Sequence, residues 1–405
     1  MPISVLIAPS GFKESLSVGA VTEAIAQGVK RALPQARILK APMVDGGEGF
    51  VEALVAATHG ELLKCRVVGP VGEEIDSFFG ILGGQGPRTA VIEMAAAAGL
   101  SLVPRDRRDP TKTTSYGVGQ LIKAALDQRV DRILIGCGDS GINDAGAGMV
   151  QALGGLLVDD EGYEIGYGGG ELAKLARIDL AHLDRRLSTV QIDVAVNWHN
   201  VLLGPKGVAR VFAPQKGATP DQVEQLEHGL TVFARVVHAT TNIDVSTAPG
   251  TGASGGLGAA LMGLLGAKLH PRYDIVMQYL DFETLLESAD LVITAEGSLD
   301  GQTPYGKIPA EVGRRARERG VPVIALAGTI GKGCAENFAH GIQAFASIVK
   351  RPCTLQEAIR DAEELLVHAA EDATRMVQVG LTLKSTVKPQ RIWRTESSHA
   401  ANAVA

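Results

Sequence analysis

The sequence predicts an α/β protein of two domains, one built from both ends of the chain and the other inserted within it. Three observations lead there. Short β-branched runs alternate with amphipathic stretches near both termini, the order expected of parallel strands joined by crossover helices. Aromatic residues make up only 4% of the chain while glycine numbers 49 of 405, which favours many tight turns over a β-sandwich. The middle of the chain carries glycine-dense loops between its apolar runs. At roughly 150 residues per domain, 405 residues also exceed one simple core.

Near the N-terminus, "ISVLIAP" (3–9) reads as a buried strand that stops at Pro9. "SVGAVTEAIAQGVKRAL" (17–33) has apolar residues at helical spacing and Ser17 as its N-cap. "ARILKAPM" (36–43) is a second strand, and "VDGGEGFVEALVAAT" (44–58) is a glycine-rich turn that opens a helix. The same order returns later. "ADLVITAEG" (289–297) is a strand, "IPAEVGRRARERG" (308–320) a helix closed by Gly320, and "VPVIALAG" (321–328) and "IQAFASIV" (342–349) are further strands. "LQEAIRDAEELLVHAAEDATRMVQ" (355–378) reads as one long final helix. Between these, "TAVIEMAAAAGL" (89–100) and "VDRILIG" (130–136) are regular segments. "GYGGGELAKLARID" (166–179), "PQKGATPDQVEQLEHGL" (214–230) and "PGTGASGGLGAALMGLLGA" (249–267) lead into helices. The domain crossings fall near 70 and 285, each within about ten residues. The first domain is then 1–70 plus 285–380 and the inserted one 71–284. The stretch 381–405 is polar and unpatterned, a mobile tail that Trp393 could dock.

Bulk chemistry excludes several functions. Net charge is −6 with no basic block, against a nucleic-acid partner. The N-terminus carries no basic region, and its apolar run is too short for a signal peptide or a membrane span. Cys65, Cys137, Cys334 and Cys353 form no CxxC pair and read as reduced thiols of a cytoplasmic protein. There is no HExxH and the nine histidines are scattered, so neither a zinc hydrolase nor a serine triad has support. The glycine-rich run 249–261 is not a Walker A loop, because no GK[ST] follows, and it lacks a strict GxGxxG with a downstream acid.

What remains is a set of anion-friendly loops at strand ends. "PMVDGGEGF" (42–50) puts Asp45 and Glu48 beyond a strand, where open α/β sheets bind ligands. Asp45 could also serve only as an N-cap. "APSGFKESLS" (8–17) places Lys13 in the first strand-to-helix turn, able to pair with phosphate or to lie exposed. Lys216 in "APQKGATPDQVEQL" (213–226) precedes a helix N-terminus that suits an anion, although Thr219 could simply cap that helix. Glu296, Asp300, Gln302, Thr303 and Lys307 crowd into "TAEGSLDGQTPYGKIPAEV" (294–312). "GCGDSGINDAGAG" (136–148) follows an apolar run with five glycines around two aspartates and an asparagine. Acids, lysines and glycine loops without a dedicated nucleophile are the inventory of phosphoryl transfer, where positioning and charge stabilisation do most of the work.

Several of these stretches together resemble the bacterial glycerate kinase family, which transfers phosphate from ATP to glycerate. "SGFKESLSV" (10–18) is similar to its DSFKGSLSA, and "PMVDGGEGF" to its PMADGGEGT. "EMAAAAGL" (93–100) fits its EMA-x-A-x-GL, and "FAPQKGA" (212–218) its FGPQKGA. "PGTGASGGLGAAL" and "ITAEGSLDGQTPYGKIP" (293–309) resemble PGAGAAGGLGAGL and ITGEGRLDxQTxxGKxP. The resemblance runs in order from residue 3 to about 378. It implies two α/β domains, the discontinuous one Rossmann-like. It also implies ATP, Mg²⁺ and a small hydroxy acid held between the domains.

Two departures stand out. Against the family's GxGGSATNDGGxG, this chain has Asp139, Ile142 and Ala145 but keeps Ser140, Asn143 and Asp144. Against CDVTNPLLG, "VNWHNVLLG" (196–204) has Asn197 for Asp and Val201 for Pro, and keeps Asn200. An amide cannot act as a base near neutral pH. Asp193, earlier on the same strand, lies about 13 Å away on the same face. The expected catalytic set is Lys13, Asp45, Asp144, Asn197 and Lys216. Ser140, Asn143, Asn200, Gly255, Gly256, Gln302, Thr303 and Lys307 are expected to bind substrate or nucleotide, and Glu48, Glu296 and Asp300 the metal. The expectation is an ATP-dependent glycerate kinase. A kinase for a related short hydroxy acid, a binding protein that lost turnover at position 197, and an NAD- or nucleotide-sugar-linked enzyme stand as alternatives. The sequence leaves oligomeric state open.

Overall fold

The computed structural model describes residues 3–12 and 15–386. Lys13, Trp393 and the 387–405 part of the tail lie outside the described residues. In chain order the strands begin with β1 (Ser4–Ile7), β2 (Arg37–Lys40), β3 (Glu61–Val68), β4 (Glu74–Ile81) and β5 (Thr89–Glu93). They continue with β6 (Arg132–Gly136), β7 (Leu156–Val158), β8 (Arg177–Asp179), β9 (Gln191–Val196) and β10 (Lys268–Pro271). The last three are β11 (Leu291–Leu299), β12 (Val323–Ile330) and β13 (Ala344–Ser347).

These strands form two large sheets. The first has the order β13-β12-β11-β1-β2 and is parallel throughout, with Leu6 paired to both Val292 and Leu39. The two chain ends thus meet side by side at β1 and β11. The second sheet has the order β10-β9-β6-β5-β4-β3. It is parallel from β10 to β5, while β4 and β3 run antiparallel. β3 already belongs to this second sheet, so strand membership changes between Lys40 and Glu61. β7 and β8 pair separately.

Local chemistry sets the helices. Ser17 caps Val18–Ala32 by accepting from the Ala20 N–H. Thr219 opens Pro220–Thr241 with a reciprocal capping box to Gln222. Two expectations need correction. The final helix is two: Leu355–Arg360 ends at Asp361, whose φ −97° and ψ 8° leave the helical range, and Ala362–Thr386 follows. Residues 381–386 therefore continue a helix rather than opening a tail. The 166–179 segment forms only a short 3₁₀ turn (Gly169–Lys174) before β8, since its glycines do not sustain an α-helix. No helix among the described residues is long and apolar enough to cross a membrane.

Helices Val18–Ala32 and Ala362–Thr386 cover one face of the first sheet, where Ile25 and Val29 pack with Val5, Ile7, Leu366 and Ala370. On the other face lies the short helix Phe50–Thr58. Its Phe50 and Leu54 are fully buried in one apolar cluster that contains Leu6 and Val292 of the first sheet and Val91, Leu134 and Ala195 of the second. One nine-residue helix thus shares its core with both sheets. Leu54→Ala should cost about 2–5 kcal/mol through the cavity it leaves. Urea unfolding read by circular dichroism should show the midpoint falling accordingly.

Candidate functional site

The strands of both sheets deliver their polar loops at their carboxyl ends. After β2 comes the 45–49 turn, which touches the other sheet backbone to backbone. A Cβ on Gly46 would lie 3.0 Å from the Cys137 nitrogen and 3.3 Å from the Ala195 carbonyl oxygen. A Cβ on Gly138 would lie 2.6 Å from the Gly47 Cα. Only residues without side chains can pack two loops this closely. The turn also holds itself: the Gly47 N–H donates to Asp45 Oδ1 at 3.3 Å. Asp45 does not cap the helix, which starts from Gly49. Its Oδ2 instead lies 3.6 Å from the Arg272 guanidinium, just beyond β10. Both Asp45 and Glu48 are exposed.

Behind this turn sits Glu93, buried at the end of β5. It accepts the Val51 N–H at 3.0 Å. Burial pushes its carboxyl up to about 7, against the N–H groups of Val51, Gly49 and Phe50, which pull it down. The glutamate anchors the first turn of Phe50–Thr58, where an acid also complements the helix dipole.

The loop after β6 holds most of the buried polar groups. Asp144 is fully buried, and its carboxylate accepts from Ser115 N at 2.7 Å, Ser115 Oγ at 2.8 Å, Gly146 N at 3.1 Å and Gly148 N at 3.3 Å. Burial pushes this carboxyl up and the hydrogen bonds oppose it. Asp144 therefore ties together the starts of helices Tyr116–Asp127 and Ala147–Ala152. Lys216 is buried too. Its ammonium donates to Ser140 Oγ at 2.9 Å and to the Ile142 carbonyl at 2.6 Å. Burial pulls the lysine down to about 7, and the Asp144 charge draws it back up. Asn143 lies between, fully buried, and neither atom of its amide has a hydrogen-bond partner.

Gly255 and Gly256 back this loop. Ser254, Gly255 and Gly256 all have positive φ, at 51°, 69° and 91°. A Cβ on Gly255 would stand 2.9 Å from Asn143 Cα, and one on Gly256 2.9 Å from Ala145 Cα. The Gly255 carbonyl accepts the Ala145 N–H at 3.0 Å. These glycines are needed both for their dihedrals and for close packing. Asn197 and Asn200 follow β9. Asn197 Oδ1 accepts the His199 N–H at 3.2 Å, and the Asn200 carbonyl accepts the Gly252 N–H at 3.2 Å. Asp193 is bound by His270 Nε2 at 2.8 Å, the Tyr279 hydroxyl at 2.9 Å and Gln191 Nε2 at 2.7 Å, which engages it away from Asn197's neighbourhood.

In the first sheet, Glu296 and Asp300 come from the end of β11 and meet Lys307, whose Nζ lies 3.8 Å and 3.5 Å from their carboxylates. The Gln302 N–H donates to Asp300 at 2.8 Å, and with Lys307 it holds that carboxyl below its usual range. Buried Thr303 receives the Asp300 N–H at 3.1 Å. Tyr273 relates the two sheets electrostatically. Burial raises its phenol, Arg272 lowers it, and both Asp45 and Glu296 raise it. Among the described residues no three His, Cys, Asp or Glu side chains converge as a metal cage.

The structure thus groups Ser140, Asn143, Asp144 and Lys216 around one loop, with Gly255 and Gly256 behind them. Asn197 and Asn200 stand at the neighbouring strand end, and Glu296, Asp300, Gln302, Thr303 and Lys307 form their own cluster. Sequence reasoning passed over Arg272 and Tyr273, which sit in "HPRYD" with no glycine or motif around them. It also passed over Glu93 as a site residue, although "EMAAAAGL" carried a signal.

This arrangement defines a two-sheet α/β protein whose glycine-rich loops gather acids and lysines at strand carboxyl ends. A profile of the glycerate kinase family matches residues 5–378. The chain is 46% identical over 381 residues to the glycerate kinase of Bacillus subtilis (strain 168), covering 94% of this chain and 99% of that one. It is 43% identical over 379 residues to the glycerate 2-kinase of Escherichia coli (strain K12), covering 94% and 99%. A solved structure from Salmonella typhimurium LT2, assigned as a glycerate kinase 2, superposes with a TM-score of 0.84 at 45% identity, covering 95% of this chain and all of that one. The chain belongs to the glycerate kinase family.

The desolvated lysine gives a pH test. Unfolded Lys216 holds its proton up to about 10.5, while folded Lys216 releases it near 7. The unfolded state binds more protons in between, so this group makes stability rise with pH across that window. Urea unfolding at about pH 7 and about pH 9 should show a wild-type gain, at most about 1.4 kcal/mol per pH unit, that Lys216→Met lacks.

Proposed function

We propose that the protein is an ATP-dependent kinase that phosphorylates a hydroxyl of glycerate, giving phosphoglycerate. The observation that carries this reading is the meeting of two loops. Asp45 and Glu48 on the 45–49 turn of one sheet are seated directly on the loop after β6 of the other. Such a meeting of strand carboxyl ends is where an α/β protein binds small ligands. Family membership supports ATP as donor, and the relative named glycerate 2-kinase supports the 2-hydroxyl as acceptor.

In this reading Lys307 supplies positive charge to the phosphates, and Asn143, Asn197 and Asn200 orient the acid and its hydroxyl. Lys216 positions the 140–142 backbone through its two hydrogen bonds. Asp144 keeps the loop in register by joining two helix starts. Mg²⁺ commonly takes one or two carboxylates and fills its remaining positions with phosphate oxygens and water. Exposed Asp45 and Glu48 fit that role, as does Asp300, which its N–H donor keeps ionised. When bound, the metal would neutralise charge on the transferring phosphate.

Asn197 need not abolish turnover, because a loose phosphoryl-transfer transition state asks little of a base. The purified protein with ATP–Mg²⁺ should convert glycerate to a monophosphate ester, identified by mass spectrometry and NMR. No product from glycerate would overturn the reading. Asn197→Asp keeps the acceptor for the His199 N–H and should change kcat by less than about tenfold. A gain of about 100-fold would show instead that the wild type works without a base it needs.

A further inference from the structure

Asp139 stands at φ 49°, a left-handed conformation that favours glycine. Its side chain reaches across to the 45–49 turn, and Oδ2 accepts the Glu48 N–H at 3.0 Å. The same carboxylate fills the space beside Gly47. A Cβ there would overlap Oδ2, stand 2.9 Å from Asp139 Cγ and 3.4 Å from Asp45 Oδ1. No other atom lies within reach of that Cβ at shorter distance. Gly47 itself has no positive φ, so alanine suits its backbone. The Asp139 carbonyl is also held, accepting the Leu100 N–H at 2.8 Å, and Ser140 beside it accepts from Lys216.

We propose that Asp139 is a positioning residue: its carboxylate clamps the 45–49 turn of one sheet to the loop after β6 of the other. The clamp sets where Asp45 and Glu48 stand relative to Ser140 and Asn143, and the bare flank of Gly47 is the room it needs. This rests on the reading of these loops as a phosphoryl-transfer site. The backbone contact of Gly138 with Gly47 is independent of the carboxylate, so the two loops stay together without it. What the carboxylate adds is register.

The test is a double-mutant cycle on the full chain with Asp139→Gly and Gly47→Ala, and Asp139→Asn as the conservative variant. Glycine suits the left-handed backbone at 139, so Asp139→Gly should fold. It should lower kcat with ATP–Mg²⁺ and glycerate by about tenfold, with the KM for ATP changed less. Asp139→Asn keeps an oxygen acceptor and should recover most of that loss. Gly47→Ala in the wild-type background should cost about tenfold, the same loss as Asp139→Gly, because the methyl displaces the Asp139 carboxylate and undoes the clamp. In the Asp139→Gly background it should cost less than about threefold, because the obstructing carboxylate is gone. Equal penalties in both backgrounds, or unchanged kcat in Asp139→Gly, would overturn the clamp. The four proteins are also compared by melting temperature. A wild type without glycerate turnover overturns the function reading alone, while a melting cycle that is strictly additive overturns the clamp by itself.

Discussion

Everything at the candidate site depends on one contact: the 45–49 turn lying backbone against backbone on the carboxyl ends of β6 and β9. Side-chain packing can tolerate repacking, but a glycine-to-glycine contact cannot tolerate added atoms. The contact explains why acids from the first sheet face the polar loop of the second. It also explains why Glu93 is buried where it is. A carboxylate beneath the turn supplies acceptors to the first N–H groups of Phe50–Thr58, and so fixes the turn from behind.

The second sheet's contribution is a buried polar loop kept in place against the cost of desolvation. Asp144 and Lys216 are each moved toward neutrality by burial, in opposite directions. Asp144 is satisfied by four donors from two helix starts, and Lys216 by two acceptors. Asn143 is not satisfied within the chain, and an unpaired buried amide costs about 1–3 kcal/mol. Sites that bind ligands are where such costs persist. The polar residues here therefore divide by task. Asp144 and Lys216 build the loop, and Asn143 is its uncommitted group.

Much of the fold was legible in the sequence, because local chemistry decides it. Ser17 and Thr219 announced helix starts that their side chains do cap. The β-branched runs became β1, β6 and β11 because they suit strands buried on both faces. The break at Asp361 was not legible, since apolar spacing continues across it. At the site, residue type was legible and burial was not. Lys216 and Asp144 were read as groups for a ligand, yet both spend their hydrogen bonds inside the protein. Arg272 and Tyr273 were invisible because they approach Asp45 only through the pairing of β10 with β9. A lysine cluster such as Glu296–Asp300–Lys307 could be read directly, because its members are close in the chain.

The helix Phe50–Thr58 carries a consequence for how the molecule comes apart. Its buried residues belong at once to the cores of both sheets. Neither sheet can shed its structure while that helix stays docked, and the helix cannot leave without exposing apolar surface on both. Unfolding of the two halves is thereby thermodynamically linked into one cooperative event, although each half has a sheet of its own. The same helix opens directly from the turn that bears Asp45 and Glu48, so the least dispensable piece of the core is also the mount of the candidate site.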